Sequence, residues 1–116
     1  MDGKELAQFI AKLTLDKKAE NVVIMDLGEI TTITDYFVIC SAQSDVQVKA
    51  ISDSITTELK QRDIRAWHSE GHQSLNWVLL DYVDVVVHIF KPEIREYYAL
   101  ENLWGDAKII EVNDEY

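Results

Sequence analysis

Trp77-Val78-Leu79-Leu80-Asp81-Tyr82, then Val83, then Asp84-Val85-Val86-Val87-His88-Ile89-Phe90, is the stretch that decides how this chain folds. Asn76 to Tyr82 and Asp84 to Phe90 are two apolar runs rich in strand formers, with so short a connection that an antiparallel hairpin is the natural reading. Lys91-Pro92 follows, and proline suits the first position of a helix, where its missing amide costs little. Ile94, Tyr97, Tyr98, Leu100 and Trp104 make the apolar side of that helix, and Gly105 is placed to stop it.

Working back from the hairpin, Ser69 to Ser74 is polar and reads as a loop, and Ile64 to Trp67 as a short strand. Ser44-Asp45-Val46-Gln47 has the form of a capping box, and Val48, Ile51, Ile55 and Leu59 carry a helix to about Gln61. Tyr36 to Cys40 is nearly continuous in apolar character, as a strand buried on both faces is. Asn21 to Leu27 is a further strand ending at Gly28, and Leu6, Phe9, Ile10 and Leu13 recur at helical spacing before it. The order is helix, two strands, helix, three strands, helix. It predicts an α/β (α+β-like) domain, a mixed sheet of about five strands flanked by three helices, over residues 1–106. Residues 107–116 read as an acidic tail, and whether its Ile109-Ile110 patch docks on the body is left open.

A chain of 116 residues, 47% hydrophobic and with one proline, is one compact domain. Its 11 Lys+Arg against 21 Asp+Glu give a formal charge of −10. Such a surface repels a free nucleic-acid backbone, whose binding needs cations, and suits either a basic protein partner or simple solubility. Cys40 stands alone, so neither an internal disulfide nor a cysteine-rich metal site can form. No targeting pattern precedes the first helix, and the apolar runs fall short of the ~20 residues a membrane helix needs. A cytoplasmic protein without membrane contact is expected.

Catalytic signatures are missing. The chain has no glycine-rich phosphate loop, no Cys-x-x-Cys and no His-Glu-x-x-His. His68, Glu70 and His72 would share a face only if a strand ran through Gly71. Asp81 and Asp84 could hold a divalent ion, though aspartates at turns ordinarily accept local backbone amides. His88, inside an apolar strand, reads as a hydrogen-bonded core histidine. No catalytic residue, cofactor or metal is assigned.

Three segments together resemble the ribosomal silencing factor family, also called Iojap-like proteins. They are Thr34-Asp35-Tyr36-Phe37-Val38-Ile39-Cys40-Ser41 with Ser44 and Gln47-Val48, then Glu70-Gly71 with the two strands of residues 77–90, then Arg95-Glu96-Tyr97-Tyr98 with Leu100-Glu101 and Leu103-Trp104-Gly105-Asp106. The likeness spans roughly residues 5–106. It implies a nucleotidyltransferase-like topology without that activity. It also implies a protein that binds the large ribosomal subunit through that subunit's basic protein fourteen, blocks subunit joining and represses translation. A homodimer is among the states it allows. The chain departs from the family at Val83, where glycine is common, and at Val46, where a basic residue is common. Since a β-branched residue resists positive φ, Val83 predicts a different or wider turn.

The resemblance implies that Trp77 contacts the ribosome and that Tyr82 holds a matching interface position. The residues alone read Trp77 equally as an interface anchor or as a core tryptophan. Strand alternation puts Trp77 and Tyr82 on opposite faces unless the turn or a bulge reorients one of them. Glu70, Asp81 and Asp84 would rim the patch. The competing reading is a metal-dependent phosphotransferase that uses Asp81, Asp84 and Ser44.

Overall fold

The structure is a computed structural model and describes residues 1–112. In chain order its elements are α1 (Gly3–Asp16), β1 (Glu20–Asp26), β2 (Tyr36–Ser41), α2 (Asp45–Lys60), β3 (His68–Glu70), β4 (Trp77–Asp81), β5 (Val85–Phe90), α3 (Pro92–Tyr98), α4 (Leu100–Leu103) and β6 (Lys108–Ile110). Among the described residues the strands form one sheet of six, in the order β3-β4-β5-β2-β1-β6. The central β2–β5 pair is parallel and the other pairs are antiparallel, so the sheet is mixed. No described helix is long and apolar enough to cross a membrane.

The two long helices begin where side-chain caps replace missing backbone partners. Asp2 Oδ1 accepts the Glu5 N–H at 2.8 Å for α1, and Ser44 Oγ accepts the Gln47 N–H at 3.2 Å for α2. The Gln47 carboxamide reaches back to the Gln43 N–H at 2.8 Å, which sets the box one residue ahead of the cap. Leu6, Ile10, Val48, Ile51, Ile55 and Leu59 turn inward from these helices onto one face of the sheet. There they meet Ile24, Val38, Cys40, Val78, Leu80, Val87 and Ile89. Met25, Phe37, Ile39, Val86 and Phe90 alternate to the other face and are covered by Ile94, Leu100 and Trp104. β5 is buried on both faces along its whole length, as a nearly unbroken apolar run demands.

The sheet has one strand more than the sequence pattern predicts. Lys108–Ile110 pairs with β1, Ile24 opposite Ile110, so the apolar patch left open above docks as an edge strand. A three-residue strand is too short for its period to be read from sequence. The acidic end of the tail, residues 113–116, lies outside the described residues.

The strand predicted at Ile64 to Trp67 is displaced to His68–Glu70. Asp63 takes a φ of 59° and the Ile64 N–H returns to the Leu59 carbonyl at 2.9 Å. Ile64 therefore closes the C-terminus of α2 and packs against the helix-side core. The predicted third helix is likewise broken, at Ala99 (φ 46°, ψ 46°), into α3 and α4. Arg95 explains the break: Nε and Nη2 donate to the Glu101 carboxylate at 2.8 and 3.1 Å, and Nη1 donates to Asn21 O and Ser41 Oγ at 2.8 and 2.9 Å. On a continuous helix those two residues would lie about 9 Å apart along the axis and on different sides. The reversal at Ala99 brings Glu101 back and pins the short helices to β1 and β2.

The hairpin turn is not wider. The Asp84 N–H bonds the Tyr82 carbonyl at 2.9 Å around Val83, whose φ is 73°, and the Tyr82 N–H bonds the Val85 carbonyl at 2.8 Å. This is the positive-φ γ-turn, the strained kind. It is held because Asp81 Oδ1 accepts the Val83 N–H at 2.8 Å and Thr34 Oγ1 donates to the Val83 carbonyl at 2.9 Å. One local bond, from Asp81, and one tertiary bond, from Thr34, thus overrule the valine's preference. Val83→Gly is expected to stabilise the protein by about 1 kcal/mol, relief of strain less the added chain entropy of glycine. Thermal or urea unfolding checks this, and an unchanged or lower stability contradicts it.

Candidate functional site

α3 and α4, with 7 and 4 residues, are too short to cover all of the second sheet face. Trp77, Leu79 and Asp81 of β4 remain half-exposed there. Trp77 heads β4 and stands opposite Phe90. Its ring stacks on Phe90 at 4.7 Å and meets Tyr98 at 5.0 Å, and Tyr98 meets Tyr97 edge-on at a further 5.0 Å. On the inner side His88 lies 5.9 Å from Trp77 and 4.6 Å edge-on from Phe37, which meets Trp104 at 6.2 Å. The result is a continuous aromatic ribbon. It runs from the buried Phe37 to Tyr98, 51% exposed, and Tyr97, 81% exposed.

His88, 3% exposed, is the polar member at the buried end. Its Nδ1 accepts the Trp77 indole N–H at 3.1 Å, so the neutral ring carries its own proton on Nε2. Nε2 is buried and makes no hydrogen bond among the described residues. Burial pushes the imidazole down from 6.5 to about 3. Because the folded value is the lower one, this group's contribution to stability is complete above pH 6.5 and is lost as pH falls toward 3. Stability is expected to fall between pH 6.5 and 5 by up to about 1.4 kcal/mol per unit, before most carboxylates titrate. Urea unfolding across that window checks the slope, which His88→Leu should flatten.

Of the residues predicted to form the site, Trp77, Asp81 and Glu70 share this face. Glu70 pairs with Leu79 and His68 with Asp81 across β3–β4. Glu70 Oε2 lies 3.4 Å from His68 Nε2, and both side chains are more than half exposed. Asp81 serves the turn as well as the rim, through its bond to the Val83 N–H. Tyr82 does not join them. Alternation holds through the tight hairpin, so Tyr82 is 7% exposed within the helix-side core, its phenol pushed up to about 12 by burial. Asp84 is also elsewhere. Its carbonyl takes the Asp35 and Tyr36 N–H groups at 3.2 and 3.0 Å, and a side chain on Gly3 would come within 3.5 Å of its Cβ.

Tyr97 and Tyr98, which the helical spacing places on an apolar side, are instead both exposed at the end of the ribbon. No local signal marked them, since adjacent residues of one helix can both be buried, as Leu6 and Ala7 or Ile10 and Ala11 of α1 are. Trp67, at the end of the strand predicted from sequence, lies just before β3, 76% exposed and 6.2 Å from the His68 ring. Ser44, Asp81 and Asp84 do not converge. Ser44 lies beyond the Ser41–Phe90 end of the central pair, whereas Asp81 and Asp84 flank its Val85 end. The length of β5 separates them, about 16 Å at the usual rise. Among the described residues no group of three or more His, Cys, Asp or Glu is placed to hold a metal ion.

Residues 1–116 match the family model described as "Ribosomal silencing factor during starvation". The chain is 41% identical to the "Ribosomal silencing factor RsfS" of Halalkalibacterium halodurans, across 97% of this chain and 96% of that protein. It is 39% identical to the Bacillus subtilis protein of the same name, with 97% and 96% covered. It is also 33% identical to "Protein Iojap, chloroplastic" of Zea mays, across 89% of this chain and 45% of the longer plant protein. A crystal structure of a Chromobacterium violaceum protein superposes with a TM-score of 0.87 at 34% identity, covering 90% of this chain and 88% of that one. One from Bacillus halodurans gives 0.82 at 38%, covering 93% and 98%.

Proposed function

The chain belongs to the ribosomal silencing factor family, and from this we propose that it represses translation by binding the large ribosomal subunit through its basic protein fourteen. Seated there, in the cytoplasm, it would occupy the joining face, and the small subunit could not dock. The mechanism is steric and calls for no bond making or breaking. The reading as a binder rather than an enzyme is supported by the distance between Ser44 and the Asp81–Asp84 end of β5.

The observation that carries the proposal is the outer end of the aromatic ribbon, the half-buried Trp77 with the exposed Tyr98 and Tyr97, on the sheet face that also carries Glu70 and Asp81. Rigid rings bring a large contact area at small cost in conformational freedom, which is why Trp and Tyr dominate binding hot spots. An acidic edge on a chain of charge −10 attracts a basic partner and speeds encounter with it.

Purified protein is expected to co-sediment with large subunits and to slow their association with small subunits. Its association rate is expected to fall as salt is raised, since steering between opposite charges is screened. Absence of co-sedimentation at low salt would overturn the proposal.

A further inference from the structure

An indole at a half-open sheet edge ordinarily turns its N–H toward water or a partner. Here it does the reverse. Trp77 Nε1 points inward, 3.1 Å from His88 Nδ1. The acceptor is fixed. His88 sits on the central strand β5, opposite Ile39 on one side and Leu79 on the other. Its ring lies edge-on to Phe37 at 4.6 Å and nearly parallel to Phe90 at 6.0 Å.

We propose that His88 is the positioning residue of the partner contact: by accepting the Trp77 N–H it locks the indole so that only ring carbon faces outward. The inference rests on the reading of this face as the ribosome contact. Turning the indole over would break the bond and leave a buried Nδ1 without a partner, a penalty that a half-buried ring does not readily offset. Trp77 therefore offers a partner no hydrogen-bond donor. A carboxylate or carbonyl oxygen gains nothing from it. What fits is an aliphatic stem or a cation lying over the ring, as the side chains of lysine and arginine provide. Glu70, which stands opposite Leu79 and so diagonally next to Trp77, would hold the charged head of such a side chain.

The tautomer follows from the same bond. With Nδ1 occupied, a second proton on the imidazole must first displace the indole, so acidification and release of Trp77 are one event.

Two measurements on the full chain test this. In 15N-labelled wild-type protein, the Trp77 Nε1 and His88 Nδ1 nuclei should show a coupling through the hydrogen bond, and the indole proton should exchange slowly. An uncoupled indole that exchanges like an exposed tryptophan overturns the proposal. In co-sedimentation, His88→Leu is expected to bind large subunits roughly tenfold more weakly, the value of one hydrogen bond. His88→Asn, whose carboxamide can place an acceptor near the Nδ1 position, is expected to recover most of that loss. Trp77→Phe should weaken wild-type binding but add little to His88→Leu, because both remove the same bond. If wild type binds and Trp77→Ala does not, yet His88→Leu binds as wild type, the inference falls while the proposed function stands. If wild type itself fails to bind, that function falls. Should His88→Leu not fold, the coupling in wild-type protein decides the positioning claim alone.

Discussion

Gly71→Ala is expected to cost more than about 3 kcal/mol of folding stability, the size reserved for defects that move backbone. Gly71 lies between β3 and β4 at a φ of +89°, a conformation that side chains resist. A Cβ there would meet the Trp77 carbonyl oxygen at 1.9 Å, its carbon at 2.8 Å and Val78 Cα at 3.1 Å. All three are backbone atoms, so no rotamer change relieves the overlap. The chain would have to move by about 1 Å to restore the 3.0 Å that real Cβ contacts keep. The loop cannot absorb this easily, since the Leu75 N–H bonds the Gly71 carbonyl at 3.0 Å and Leu75 itself holds a φ of 60°. β4 would therefore shift at Trp77, the residue that starts the aromatic ribbon. Urea unfolding measures the loss, and a change smaller than about 1 kcal/mol would refute this account. The folded fraction of the mutant should also bind large subunits poorly, with its indole displaced from His88.

Much of this could be read from the residues because the decisive segments are long and periodic. β5 carries six apolar-flanked residues buried on both faces, and α1 and α2 carry stripes at helical spacing. What escaped reading depends on single side-chain bonds, some of them long-range. Nothing local in Ile94 to Trp104 announces that Arg95 will grip Glu101, Asn21 and Ser41 and so reverse the chain at Ala99. Val83 was read through its own preference, yet Asp81 and Thr34 hold it at positive φ. The site shows the same division. Alternation alone separates Trp77 from Tyr82, and the structure keeps them apart because the γ-turn is too tight to reorient either. Tyr97 could be placed only once the break at Ala99 was known, since that break ends α3 with its last two side chains at the surface.

That placement makes it possible to separate recognition from folding by experiment. Trp77→Ala is expected to weaken large-subunit binding by at least about 30-fold, the loss of a central aromatic anchor worth ~2 kcal/mol. It should also lower stability, because the ring leaves Phe90 and His88 Nδ1 loses its donor. A binding loss in that mutant alone could therefore be laid to unfolding. Tyr97→Ala carries no such ambiguity. Tyr97 is 81% exposed and its ring contact is with Tyr98, itself 51% exposed. Its removal should leave the unfolding free energy within about 0.5 kcal/mol of wild type, as for surface changes generally. If the ribbon is the contact face, Tyr97→Ala still weakens binding several-fold while Tm stays put. Glu70→Lys, on the rim, should then slow association more than it speeds release, since rim charges act on encounter. Wild-type binding by Tyr97→Ala would confine the contact to the Trp77 end. Wild-type binding by Trp77→Ala would move the contact off this face altogether.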